Sequence, residues 1–293
     1  MTVPDTGWEP VLDPPRVAVV EAVTRAIAED VLPLGDLTAG LVPASRRATV
    51  EVVSRGAGVV AGRSCAVEAF TQIDPDLAVS WHLPDGSAVV PGQVVATVEG
   101  SLRSLLTAER TALNFLGHLS GVATLTRAYV DAVHAANPAT RVLDTRKTTP
   151  GLRALEKAAV RAGGGCNHRG NLSEAVLVKD NHLEGVAIAE VVERARRQWP
   201  GRMVEVECDR PDQVREAVAA RATVVMLDNM TPDQVAECVA LVRGAGSDAL
   251  IEVSGGVTLR SAPLLAAAGA DVLSVGALTH SAPALDLGLD LRG

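Results

Sequence analysis

A chain of 293 residues, 47% hydrophobic and 21% charged, is long enough for one large or two ordinary globular domains. Its net charge of −8 argues against a general affinity for DNA or anionic membranes, and three Trp, one Tyr and two Phe cannot furnish a stacking platform for single-stranded nucleic acid. No membrane span is expected without a run of about 18 apolar residues. No signal peptide is expected either, because the opening "MTVPDTGWEPVLDPPRV" lacks a basic stretch followed by an apolar one, so the chain reads as cytoplasmic.

Up to about residue 115 the texture is mixed. A helix-like stretch around 17–30 precedes "RATVEVVSRGAGVVAG" (47–62), whose β-branched residues and glycines predict strands and turns. "RSCAVEAFTQI" (63–73) reads as a helix, and "AVSWHLPDGSAVVPGQVVATVEGS" (78–101) as short strands separated by Asp-Gly, Pro-Gly and Gly-Ser turns. Residues 102–136 read as mostly helical, with Gly117, Ser120 and Gly121 allowing close packing near the middle. The cysteines at 65, 166, 208 and 238 form no C-x-x-C pair and read as reduced thiols.

From 141 onward the pattern becomes regular. Apolar runs at "RVLDT" (141–145), "EAVLVKD" (174–180), "MVEVECD" (203–209), "ATVVMLDN" (222–229), "ALIEVSGG" (249–256) and "ADVLSVGA" (270–277) alternate with helical segments such as "PDQVREAVAA" (211–220) and "TPDQVAECVALVR" (231–243). Continuous apolar strands alternating with helices predict a parallel sheet covered on both faces. Each strand ends in a polar or glycine residue: Asp144 and Arg146, Lys179 and Asp180, Glu207, Asp228, Ser254, Gly276. In an open sheet these ends would spread along one edge; in a barrel they would ring one mouth, where barrel enzymes carry their sites. The even spacing favours a barrel with fewer than eight strands.

Arg146 and Lys147, the pair His168-Arg169 after the glycine run, and Lys179 at the next strand end are cations that would repel one another unless they met a multiply anionic ligand. Arg110 adds a helical cation. Glu207 and Asp228 follow apolar residues at strand ends, where a carboxylate either accepts from hydroxyls or holds a hydrated divalent cation. "VSGG" (253–256) and "SVGA" (274–277) each precede a helix, a setting that lets backbone N–H groups approach a phosphate. A phosphorylated sugar and a small polycarboxylic acid together fit this set.

The motifs "ERTALN" (109–114), "LSG" (119–121), "DTRKTTPGLR" (144–153), "GGGCNHR" (163–169), "LVKDNH" (177–182), "VEVE" (204–207), "LDN" (227–229) and "SGG" (254–256), in this order, resemble the quinolinate phosphoribosyltransferase family. The resemblance covers nearly the whole chain, including "GDLTAG" (35–40) and "GVVAG" (58–62). It implies an N-terminal α/β open sandwich domain (1–115, with 281–293 returning to it) and a short parallel α/β barrel of six to seven strands (116–280). The implied reaction joins quinolinate to 5-phosphoribosyl-1-diphosphate (PRPP) with Mg²⁺, giving nicotinate mononucleotide, pyrophosphate and CO2. It further implies a homodimer or higher homo-oligomer in which Arg110 reaches the neighbouring subunit's site.

By that resemblance Arg110, Arg146, His168, Arg169 and Lys179 hold the carboxylates of quinolinate, and Thr145 belongs to the same binding set. Lys147 reaches a PRPP phosphate, while Glu207 and Asp228 hold ribose hydroxyls and the hydrated Mg²⁺, directly or through water. Ser254, Gly255, Gly256 and the backbone of Val275, Gly276 and Ala277 cradle the 5-phosphate, with His280 nearby. Lys147, Glu207 and Asp228 carry the chemistry. The sequence departs from the family at "GNL" (170–172), where a bulky residue and Gly-Leu are common, which predicts a reshaped or looser loop. Two other readings of the same residues are a phosphoribosyltransferase for another acidic acceptor, and a Schiff-base aldolase using Lys147 or Lys179.

Overall fold

Valine, alanine and leucine patterning is converted into two kinds of sheet by this chain. The computed structural model describes residues 13–292. The chain divides into two compact units, one made of Met1–Leu125, Thr149–Gly164 and Ser281–Gly293, the other of Thr126–Thr148 and Gly165–His280. The opening stretch read above for a leader lies, up to residue 12, outside the described residues.

In chain order the elements begin with α1 (Arg16–Val31), β1 (Arg47–Ser54), β2 (Gly58–Val59), α2 (Arg63–Ile73), β3 (Ala78–Trp81), β4 (Ala88–Val89) and β5 (Val94–Ser101). Next come α3 (Leu102–Ala136), β6 (Arg141–Leu143), α4 (Arg153–Ala162), β7 (Val176–Val178), α5 (Asp180–Leu183), α6 (Ile188–Gln198) and β8 (Val204–Cys208). The rest are α7 (Pro211–Ala219), β9 (Val224–Asp228), α8 (Pro232–Gly244), β10 (Leu250–Ser254), α9 (Ala262–Ala267), β11 (Val272–Ser274), α10 (Ala277–His280) and β12 (Leu287–Leu291).

The first unit is built on an antiparallel sheet in the order β12-β1-β5-β3. Val50 and Val52 of β1 face Val98 and Ala96 of β5 in register, and all four are buried. The last strand, β12, pairs with β1 and returns the C-terminal segment to this sheet. Residues 102–136 form one 35-residue helix, α3. Its small residues near the middle do admit neighbours: Ser120 Oγ accepts from Ala61 N at 2.9 Å. A Cβ on Gly121 would lie 2.2 Å from the carbonyl oxygen of Pro283.

The second unit holds six parallel strands in the order β6-β11-β10-β9-β8-β7. Helices α7 and α8 start with Pro at the first turn, and Thr231 and Gln234 close a capping box on α8. The strands are shorter than the apolar runs that announce them. Strand β6 stops at Leu143, and Asp144 N instead donates to Cys166 O at 3.2 Å. Leu143 and Cys166 make a parallel bridge, so the segment after the glycine run acts as a seventh, one-residue strand at the edge of β6.

The sheet is curled. In a flat one, the Cys166 edge and β8 would be five spacings, roughly 24 Å, apart. Yet His168, two residues beyond Cys166, brings Nε2 to 3.2 Å from Glu205 on β8 and 3.3 Å from Glu252 on β10. Only a barrel brings these strands together, as the even spacing of polar strand ends requires. The period of two along each strand then sorts the side chains. Glu205 and Glu207 share one face of β8, while Val204, Val206 and Cys208 are buried on the other.

Candidate active site

At the C-terminal ends of these strands the second unit opens into a cavity of about 540 Å³. Thr145, Arg146 and Lys147 enter it from the loop after β6, and His168 and Arg169 from the loop after the glycine run. Lys179 follows β7, Glu207 and Asp228 come from β8 and β9, and Ser254, Gly255 and Gly256 close it after β10. The cations and the carboxylates named from the sequence therefore face one space.

Each group is held by its own local geometry. Lys147 N donates to Thr145 Oγ1 at 3.0 Å, and Thr279 Oγ1 donates to Lys147 O at 2.7 Å, which fixes the backbone while the lysine side chain stays exposed. Lys179 Nζ makes an ion pair with Glu207 Oε2, joining a cation and a carboxylate across the cavity wall. Asn229 takes a positive φ of 56° to end β9, and its Nδ2 donates to Asp228 Oδ2 at 2.7 Å. Gly255, at φ +84°, passes so close to Asn229 that a Cβ would lie 2.3 Å from Oδ1. No other residue fits there.

Asp144, at the head of the "DTRK" segment, has no exposed surface. Its Oδ1 accepts from His168 N at 2.9 Å and its Oδ2 from Asn167 Nδ2 at 2.6 Å. This ties the His168-Arg169 loop to the end of β6. Arg169 Nη1 in turn donates to Ala175 O at 3.2 Å. The "GNL" loop is knit rather than slack: Gly170 N and Asn171 Nδ2 donate to the two oxygens of Glu174, at 2.7 and 3.1 Å.

Of the residues missed by the sequence reading, Glu252 lines the cavity itself and Glu205 lies behind that lining. Glu205 and Glu252 are almost wholly buried, and both face His168 Nε2. Burial alone disfavours a charged imidazole, but the neighbouring carboxylates of Glu205 and Glu252 outweigh it and push His168 up to about 10. Burial holds Glu205 above the usual carboxylate range, with His168 pulling the other way and Glu252 adding to the rise. Their signal was present in the sequence: each sits two residues before a cavity residue, Glu207 and Ser254, on the same strand face. Leu177, Met226, Asn229, Glu252 and Ser274 complete the lining.

Five expected residues are elsewhere than in this lining. Arg110 is an exposed residue of α3 in the first unit and borders a separate depression with Asn114 and residues 284–287. Val275 N donates to Leu143 O at 2.9 Å, so that N–H is already used within the barrel. Gly276 lies behind Lys147, with a Cβ position 3.1 Å from Lys147 Cδ and 3.2 Å from His280 Nε2, and Ala277 starts α10.

The family model for the C-terminal domain of quinolinate phosphoribosyl transferase matches residues 122–290, and that for its N-terminal domain matches residues 36–120. The chain belongs to the quinolinate phosphoribosyltransferase family. A probable nicotinate-nucleotide pyrophosphorylase (carboxylating) of Synechocystis is 41% identical over 95% of this chain and 94% of its own length. The human nicotinate-nucleotide pyrophosphorylase (carboxylating) is 37% identical over 94% of this chain and 93% of its own. The solved nicotinate-nucleotide pyrophosphorylase of Francisella tularensis superposes with a TM-score of 0.90 at 37% identity, covering 97% of this chain and 99% of that one. Membership explains the mixed architecture of this phosphoribosyltransferase: an antiparallel sheet in one unit and a six-stranded parallel barrel in the other. Among its described residues no helix is long and apolar enough to cross a membrane.

Proposed function

We propose that this family member transfers phosphoribosyl from PRPP to quinolinate, with loss of CO2 and pyrophosphate, to give nicotinate mononucleotide in NAD biosynthesis in the cytoplasm. The observation that carries the reading is the single cavity in which Arg146, Lys147, His168, Arg169 and Lys179 face Glu207, Asp228 and the Ser254-Gly255-Gly256 turn. A dicarboxylate and a phosphorylated sugar are the ligands such a mixed wall would hold together.

The pyridine nitrogen of quinolinate is already a nucleophile, so no general base is required and catalysis rests on positioning and charge. Arg146, Arg169 and Lys179 orient the acceptor's carboxylates, and Lys147 meets negative charge growing on the departing pyrophosphate. Glu207 and Asp228 stand where the ribose turns cationic. Once the ring nitrogen is alkylated the ring becomes an electron sink, and the adjacent carboxylate leaves as CO2. Glu207 and Asp228 offer hard carboxylate oxygens on adjacent strands, a donor set that fits Mg²⁺. When bound there, Mg²⁺ would supply positive charge to the diphosphate.

An aldolase would need a desolvated amine. Lys147 is exposed and Lys179 is ion-paired with Glu207, so neither lysine favours that chemistry. The exposure of Arg110, away from the cavity lining, supports a homodimer that lends this arginine to the neighbouring site.

The test is purified protein with quinolinate, PRPP and Mg²⁺, with nicotinic acid as the control acceptor. Nicotinate mononucleotide and CO2 in equal amounts, from quinolinate only, is the expected result. PRPP-dependent protection against unfolding without product from quinolinate would discard the acceptor and keep the phosphoribosyl site.

A further inference from the structure

We propose that Glu205 and Glu252 are positioning residues that clamp the His168 ring beneath the cavity as a fixed cation, so that the acceptor's carboxylates meet the same positive charge at every working pH. The acceptor part of this statement rests on the quinolinate reading; the clamp itself does not.

The geometry is specific. His168 Nε2 lies 3.2 Å from Glu205 Oε2 and 3.3 Å from Glu252 Oε2, with the His168 side chain only 13% exposed. The two glutamates come from β8 and β10, either side of β9, so the ring is gripped from two directions. Both carboxylate oxygens of Glu205, and Glu252 Oε1, have no hydrogen-bond partner among the described residues, so Glu205 acts on the ring through its charge at 3.2 Å. Burying two carboxylates is costly, and an apolar pair would fill the barrel without that cost. What carboxylates supply and apolar residues do not is negative charge at Nε2.

The remaining surroundings do not cancel it. Asp144 holds the His168 backbone from the end of β6. The cations nearby are Arg169 and, beside it, Arg146. Glu207, on the same face of β8 as Glu205, is ion-paired with Lys179, Asp228 lines the cavity from β9, and the inward positions Leu177, Met226 and Ser274 are uncharged. A free histidine loses its proton near pH 6.5. Here the two carboxylates more than offset burial and push the ring up to about 10. A cation under the acceptor site then persists through the whole range in which an ordinary histidine would switch off.

The experiment is ring-nitrogen NMR of the ligand-free protein with ¹⁵N-histidine, His168 being assigned by comparison with His168→Gln. The ring is expected to stay doubly protonated from about pH 6 to 8.5. Glu205→Gln and Glu252→Gln, which keep side-chain volume, should each bring its titration down into that range. In parallel, KM for quinolinate should be flat over this range in the parent protein and rise about tenfold in either variant, with KM for PRPP unchanged. Should a variant fail to fold, the parent protein's titration alone decides. A ring that titrates between about pH 5.5 and 7.5 in the parent overturns the proposal, as does stoichiometric binding of Zn²⁺ alone with loss of the His168 signals. A doubly protonated ring without any turnover of quinolinate leaves the clamp standing and overturns the substrate reading instead.

Discussion

Replacing Asp144 by alanine removes a side chain that ties the end of β6 to the His168-Arg169 loop. Two hydrogen bonds are lost, from His168 N at 2.9 Å and Asn167 Nδ2 at 2.6 Å, at a site with no exposed surface. Bonds to a charged acceptor contribute about 1.5–3 kcal/mol each. The pair is therefore worth about 3 kcal/mol at the low end. For a chain of this size that lowers Tm by about 6–12 °C. The same loosening displaces His168 and Arg169 together, so kcat/KM for quinolinate should fall at least ~10²-fold, or about 2.7 kcal/mol, while KM for PRPP holds. Differential scanning calorimetry and initial rates with each substrate varied in turn make the measurement. A Tm within about 2 °C of the parent together with an unchanged KM for quinolinate would refute the assignment of Asp144 as the tie.

Lys179→Ala breaks the ion pair with Glu207 and removes an acceptor cation, and steady-state kinetics should show kcat/KM down by at least ~10²-fold. Gly255→Ala would put a methyl 2.3 Å from Asn229 Oδ1 at φ +84°, so calorimetric affinity for PRPP should drop about tenfold or more with quinolinate affinity retained. Gly121→Ala sets its Cβ 2.2 Å from Pro283 O, a backbone atom that cannot swing aside; overpacking of about 1–3 kcal/mol should appear as a lowered Tm with the site's kinetics intact. The His168 proton gives a pH dependence of stability. Folding raises this group from about 6.5 to about 10, so the folded protein holds a proton that the unfolded chain releases between those values. The contribution is complete below about pH 6.5 and lost as pH rises through about 10. Thermal melts should show Tm of the parent falling toward that of Glu252→Gln over this window; a gap that widens with pH would contradict the sign.

Much of the fold was legible because its signals are local. The helix over 63–73 and the pairing of Pro with the starts of α7 and α8 need only near neighbours in the chain. Polar residues closing apolar strands, such as Glu207 and Asp228, were found because a charge after an apolar run has few places to go. Asp144, Glu205 and Glu252 were harder. A carboxylate inside "VEVE" or "LIEVS" has no local partner, and its role depends on what closure of the sheet brings opposite it.

The sequence by itself determined the alternation of strands and helices, the parallel sheet and the set of strand-end residues, since periodicity and turn chemistry act over a few residues. Its motif order also marked the family. Tertiary structure alone decided that His168 meets Glu205 and Glu252, that Glu174 knits the "GNL" loop, and that Arg110 stays outside the cavity lining. The first of these follows from which residues distant in the chain share a buried, low-dielectric space, where charge interactions are strong enough to set orientation and protonation.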